Sequence, residues 1–231
     1  MIVTRWSRTF AFLALFCVAS IASGQDPDSP DGLVKVRSRQ LDLAWLLPGV
    51  DFRPYTKVIV DKTSVAFRQN WMRNYNMNAG LGNMINQDQA NKIMAAAQTN
   101  FDEIFRDAIR KAGYEVVTTP GPDVLRVNSG IVDLTVNAPL GMSTGQVSWI
   151  ISAGQAVLIV EVRDSTTHAL LARVADRRAT QELGRQIAST SSNLYDFRQL
   201  FELWAGICVK GLGELKSVSP VPADLQPNQR L

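Results

Sequence analysis

From Asn86 to Ala112 the chain reads NQDQANKIMAAAQTNFDEIFRDAIRKA, and Ala90, Ile93, Met94, Ala97, Phe101, Ile104, Phe105, Ala108 and Ile109 recur at spacings of three and four. That period collects them into one stripe along a helix. Asn86 stands where it caps the amino end, with Gln89 three residues on, and Gly113 supplies a left-handed stop. Asp102 precedes Arg106 by four and Asp107 precedes Lys111 by four, so these charges read as a solvated face, worth about a few tenths of a kcal/mol per pair. A helix this long with a single apolar stripe must bury it against another element, and its neighbours in sequence say which kind.

Those neighbours carry strand periodicity. Leu41, Leu43, Trp45 and Leu47 alternate, and Lys57 to Phe67 (KVIVDKTSVAF) is rich in β-branched residues. After the helix, Tyr114 to Thr118 reads as a strand, Pro120 to Asp123 as a turn, and Val124 to Val136 as a long strand with a weak point at Ser129-Gly130. Ala156 to Arg163 and Ala169 to Arg178 flank the polar turn Asp164 to His168 as a hairpin. Leu194 to Leu215 is a second amphipathic helix, which Ser191-Ser192-Asn193 can cap and whose second half is expected to fray at Gly206, Gly211 and Gly213. No period of 20 to 50 residues recurs. The fold class that follows is α+β: a largely antiparallel sheet of about six strands with two amphipathic helices packed on one face, forming a single domain over residues 33–216.

The ends read differently. Arg5 and Arg8 precede an apolar run from Phe10 to Ala19 and the small residues Ala22, Ser23 and Gly24, the layout of a secretory signal peptide over residues 1–24 cleaved after Gly24. The competing reading is an uncleaved membrane anchor, for which the apolar core is short. Residues 25–32 read as a flexible leader, and residues 217–231, with three prolines and no periodicity, as a disordered tail. Cleavage would remove two of the 24 basic groups and none of the 21 acidic ones, leaving 22 against 21, a net charge of +1. That near-neutrality removes the main support for a nucleic-acid partner. Cys17 lies within the apolar core behind bulky Phe16, so a lipidated start is not expected, and Cys208 is then the one thiol of the exported chain. The expected location is periplasmic, with no membrane-spanning segment after the signal.

A search for catalytic chemistry finds little. There is no Gly-x-Ser-x-Gly elbow, and the single His, His168, sits in a hairpin turn where it reads as exposed punctuation. Cys208 falls mid-stripe between Trp204 and Leu212 and reads as a small core residue. Gly80-Leu81-Gly82 lacks the rest of a dinucleotide fingerprint, and no Gly-Lys-Ser/Thr occurs. Asp133, Glu161, Asp164 and Asp176 are the strand-borne acids, and Arg163, Arg177 and Arg178 beside them read as charge partners on a solvated sheet face. No oxygen-rich calcium loop is present, so neither a metal nor a cofactor is expected.

Two stretches depart from a bland pattern. Arg68 to Asn83 carries Trp71, Arg73 and Tyr75 among five Asn and no acid, and Pro139 to Gln155 has no charge and carries Trp149. Trp71, Arg73, Tyr75 and Trp149 are the candidate binding residues, since long loops bearing aromatics serve as contact surfaces for an envelope protein, a glycan or a membrane interface. The alternative is that both stretches fold back and cover the core.

Asp51-Phe52-Arg53-Pro54-Tyr55-Thr56-Lys57-Val58, Val65-Ala66-Phe67 with Trp71, Ala112 to Val117, Gly121 to Val127, Val136-Asn137-Ala138-Pro139, Asp176-Arg177-Arg178, and Asn193 with Trp204-Ala205 follow in this order. Together they resemble the bacterial domain of unknown function family 3313, exported proteins of Gram-negative envelopes, many of them lipoproteins. The resemblance spans about Leu33 to Leu215 and implies no established activity, so no catalytic residue carries over. Two functions stand: a non-catalytic binding or accessory protein of the periplasm, including a subunit of an envelope transport complex, and a cell-envelope hydrolase using the strand carboxylates. Oligomeric state is left open.

Overall fold

The computed structural model describes residues 31–80, 82, 84–136, 142–143, 146–147, 154–180 and 193–230. The expected signal peptide with Cys17, most of the leader, Trp149, and the capping pair Ser191-Ser192 lie outside the described residues. In chain order the elements are β1 (Val34–Val36), β2 (Leu43–Leu46), β3 (Lys57–Val60), β4 (Ser64–Phe67), α1 (Trp71–Asn78), α2 (Gln87–Lys111), β5 (Glu115–Val116), β6 (Val124–Val136), β7 (Met142–Ser143), β8 (Gln146–Val147), β9 (Gly154–Asp164), β10 (Leu170–Ala179) and α3 (Asn193–Val218).

Eight strands form one sheet in the order β1-β2-β10-β9-β6-β3-β5, with β4 also on β6, and β7 pairs with β8 apart from it. The half from β1 to β6 is antiparallel, whereas β3, β4 and β5 run parallel to their neighbours. The α+β class holds, and the sheet is a mixed one of eight strands where about six, largely antiparallel, are expected from the sequence. The cause is α2, which carries the chain from β4 back to the starting end, so that β5 and β6 re-enter alongside β3 in the same direction. The run Lys57 to Phe67 is two strands, because the chain steps away at Asp61 to Thr63 and rejoins β6 further along, at Gly130.

Helix α2 forms where its stripe predicts. The Asn86 side chain accepts from the Gln89 amide at 2.9 Å while Gln89 Oε1 accepts from the Asn86 amide at 2.8 Å, and Gly113 takes φ 88° past the last turn. Its buried face meets α3 through aromatic rings, with Phe101 edge-on to Phe201 at 5.4 Å and Phe201 stacked near Trp204 at 6.3 Å. Both helices cover the same face of the sheet.

Asp102 is a correction to the solvated-face reading: it is only 5% exposed. Its Oδ1 accepts from the Thr63 amide at 3.1 Å and the Thr63 hydroxyl at 2.6 Å, and that hydroxyl also contacts Ser129 Oγ at 2.6 Å. The turn between β3 and β4 is thereby fastened to α2, which pairs the polar groups that the break in the strand would leave buried.

Three further expectations change. Trp71 to Asn78 is a helix rather than loop, too short for a period to declare itself. Helix α3 does not fray at its glycines but continues to Val218, because Leu212 and Leu215 keep its second half packed. The segment after it is ordered: Val221 and Leu225 are 1% and 5% exposed, and the chain docks along β1. There the Asn228 amide donates to Lys35 O at 2.8 Å and the Arg37 amide to Gln229 O at 3.0 Å, while Val221 exchanges backbone hydrogen bonds with Gly49 and Val50. Two apolar anchors and a strip of unpaired strand edge are enough to hold a proline-rich segment in place.

Candidate functional site

The strand acids do not converge. Asp133 and Glu161 lie on the face of the sheet away from the helices, each held by two arginines. Arg68 and Arg177 reach Asp133 at 2.7 and 2.6 Å, and Arg163 and Arg173 reach Glu161 at 2.8 Å each. Hydrogen bonding from Arg68, with a further contribution from Arg177, holds the Asp133 carboxyl down at about 2. Burial works to raise Glu161, yet its two arginines outweigh it and leave the carboxyl below its ordinary value. Asp164 caps its own turn, accepting from the Thr166 and Thr167 amides at 2.9 and 2.7 Å and from the Tyr55 hydroxyl at 2.8 Å. Burial first, and then Asp164, push the Tyr55 hydroxyl up to about 12.

Asp176 departs from the expected solvated pair. It lies on the helix-covered face, 2% exposed. Its Oδ2 accepts from Trp204 Nε1 at 2.8 Å and from Arg178 Nε at 2.6 Å, and its Oδ1 from the Asp42 amide at 3.2 Å. Arg178 also donates to Gln40 O at 2.7 Å, and the Arg177 amide donates to Asp42 Oδ2 at 2.8 Å. The run Asp176-Arg177-Arg178 thus fixes the loop between β1 and β2.

That loop borders a cavity of about 540 Å³ between α3 and the sheet. It follows from side-chain size. Cys208 and Gly211 on α3 face Ala44 and Ala172 on β2 and β10, so the two layers meet across small residues and leave space between them. The floor is aliphatic, built from Val127, Val160, Val162 and Val174, and the end wall comes from Phe105 and Ile109 of α2. Cys208 belongs to this wall, and burial among apolar neighbours pushes its thiol up to about 12, with the Asp176 charge adding to the effect.

The mouth has the opposite character. Arg37 and Arg39 from the β1–β2 loop, Lys210 from α3 and Arg230 from the C-terminal segment border it, with Glu214 as the one acid. Glu214 lies 3.8 Å from Lys210. Among the described residues the arginines without an ion-pair partner are Arg37, Arg39, Arg73 and Arg230, and all but Arg73 are at this mouth. A concave apolar chamber with a few polar groups at its rim is the usual form of a small-molecule site.

The sequence-stretch candidates fall elsewhere. Trp71 is 6% exposed, stacked on Phe67 at 4.0 Å with Nε1 donating to Val136 O at 3.1 Å. Tyr75 is half-buried beside it, and Arg73 is exposed on the other side of α1. His168 is exposed in its turn. Among the described residues no group of His, Cys, Asp and Glu is placed to hold a metal ion, and no helix is long and apolar enough to cross a membrane.

With this geometry in hand, comparison with known proteins gives one firm result. A family model described as a protein of unknown function (DUF3313) matches residues 29–206. The chain belongs to the DUF3313 family. No curated protein matches this DUF3313 chain. Among solved structures it is similar to PelC from Paraburkholderia phytofirmans, solved as a dodecamer, at 10% identity and a TM-score of 0.38, covering 73% of this chain and 97% of that one. It is likewise similar to protein XCC0632 from Xanthomonas campestris, of family DUF330, at 12% identity and a TM-score of 0.40, covering 74% and 91%.

The cavity escaped sequence reading, although two signals bore on it. Lys35, Arg37 and Arg39 alternate in a short run with no acid among them, and Gly211 sits inside an amphipathic helix where a larger residue would be usual.

Proposed function

We infer that this DUF3313 protein is an exported, non-catalytic binding protein of the bacterial cell envelope, and that its ligand occupies the cavity beneath α3. The observation that carries this reading is the cavity itself: aliphatic floor and walls left open to solvent in a molecule where Asp133, Glu161, Asp164 and Asp176 are each committed to a partner. Export is supported by the basic, apolar and small-residue order of residues 1–24.

The test uses N-phenyl-1-naphthylamine, a neutral apolar dye that fluoresces in dry surroundings. The delipidated protein should bind it saturably at about one site per chain. Gly211→Phe should abolish that binding: a Cβ at Gly211 meets no atom within 4 Å, so a ring can enter the open space, and leaving glycine favours the helix by about half a kcal/mol. Equal dye binding by both proteins would refute the assignment.

A further inference from the structure

Granting that the cavity is a ligand site, its two halves specify what enters. We propose that the ligand is a single-chain anionic amphiphile whose tail lies in the aliphatic chamber and whose carboxylate or phosphate rests on Arg37, Arg39 and Arg230.

Volume sets the tail. Allowing ~30 Å³ for each methylene-sized group, about the share of a water molecule, the chamber takes one chain on the order of a dozen to eighteen carbons and not two. Nothing in the floor competes for that role: valines and alanines offer no hydrogen bond, and the Cys208 thiol is uncharged. A sugar, nucleotide or peptide would bury polar groups there without partners.

The mouth sets the head. Lys210 has Glu214 within 3.8 Å, which leaves three arginines on one rim with no ion-pair partner among the described residues. Two of them are brought together by the backbone: the Arg37 amide bonds to Gln229 O at 3.0 Å, which sets Arg230 beside it. The loop holding Arg39 is fixed by Arg178 on Gln40 and by Asp176 on Asp42. Arginines whose backbone is fixed at the edge of an apolar chamber suit a planar carboxylate or a phosphate, which guanidinium groups bind through paired N–H groups. Elsewhere in the described molecule arginines that stand on a strand or in a neighbouring turn have a carboxylate opposite them, so the mouth arginines are conspicuous in having none.

The experiment displaces the dye with amphiphiles of one chain length, all below their micellar concentrations. The set is dodecanoate, lauroyl-lysophosphatidylglycerol, neutral dodecyl maltoside and cationic dodecyltrimethylammonium. Both anions should displace it at about tenfold lower concentration than the neutral detergent at low salt, with most of that advantage gone in 0.5 M NaCl. Whichever anion is tighter identifies the head as carboxylate or phosphate. In the exposed-site variant Arg37→Gln/Arg39→Gln/Arg230→Gln the anionic advantage should vanish while dodecyl maltoside is unchanged. Equal displacement by neutral, cationic and anionic chains, or an anionic advantage that survives in the triple variant, would overturn the proposal while leaving the cavity as a site. Failure of the dye itself to bind would remove the cavity reading on which it rests.

Discussion

Asp176 is the residue on which most of the local architecture turns. A carboxylate buried beneath a helix is costly unless its lone pairs are filled, and here Trp204, Arg178 and the Asp42 amide fill them. Asp176→Ala would leave an indole N–H unpaired and strip a half-buried guanidinium of its carboxylate, with only Gln40 O left to it. The expected loss is about 2–4 kcal/mol of unfolding free energy by urea denaturation. Because the same carboxylate fixes the β1–β2 loop, the variant should also weaken anion displacement of the dye more than neutral displacement. The sequence shows Asp176-Arg177-Arg178 plainly, but not that the acid points inward: a register shift between Leu170 and Ala172 decides which residues of β10 face the helices, and no pattern of residue types declares it. The same holds for Asp102, whose place on the helix wheel looks polar until Thr63 is brought against it.

Among the elements, α2 was legible because twenty-five residues of consistent period leave no alternative, and because cap and stop agree with the stripe. The hairpin of β9 and β10 was legible for the same reason. Helix α1 was not, since eight residues span barely two turns and its aromatic face reads equally as a loop. The parallel pairing of β3 with β6 depends on what α2 does in space, so it cannot be read from either strand. Between elements, Asp133 joins β4 to β10: it sits at a bulge with φ 54° and holds Arg68 and Arg177 at once. Its carboxyl is depressed to about 2, below the unfolded value, so the stabilisation it gives is complete above about pH 4 and is lost as pH falls towards 2. Asp133→Asn should therefore lower the urea midpoint at pH 7, with most of that difference gone at pH 2. A constant offset at both values would show that the ion pairs contribute nothing.

For the molecule as a whole, one long sheet is covered on one face by two helices that divide it, α2 over the parallel strands and α3 over the antiparallel ones. Where the second helix meets small residues the layers fail to fill, and a chamber results. That was not legible beforehand, because a cavity is a property of which side chains are missing opposite one another. The C-terminal segment closes the arrangement. A chain stopped after Pro220 loses Val221 and Leu225 from the interior and should unfold about 2–4 kcal/mol more easily, whereas Arg230→Gln should leave stability within ~0.5 kcal/mol of wild type. Stability measured alongside dye displacement separates the structural part of this segment from its charge.

The pairing of Arg37 with Gln229 also orders events in time. These two residues are nearly two hundred positions apart, and every element of the sheet after β1 is made between them. While the chain is being synthesised, the rim bearing Arg37 and Arg39 waits without Arg230 until the segment that follows α3 has emerged. If the rim binds an anion as proposed, that capacity is absent from the growing chain and is completed only when Arg230 docks beside Arg37.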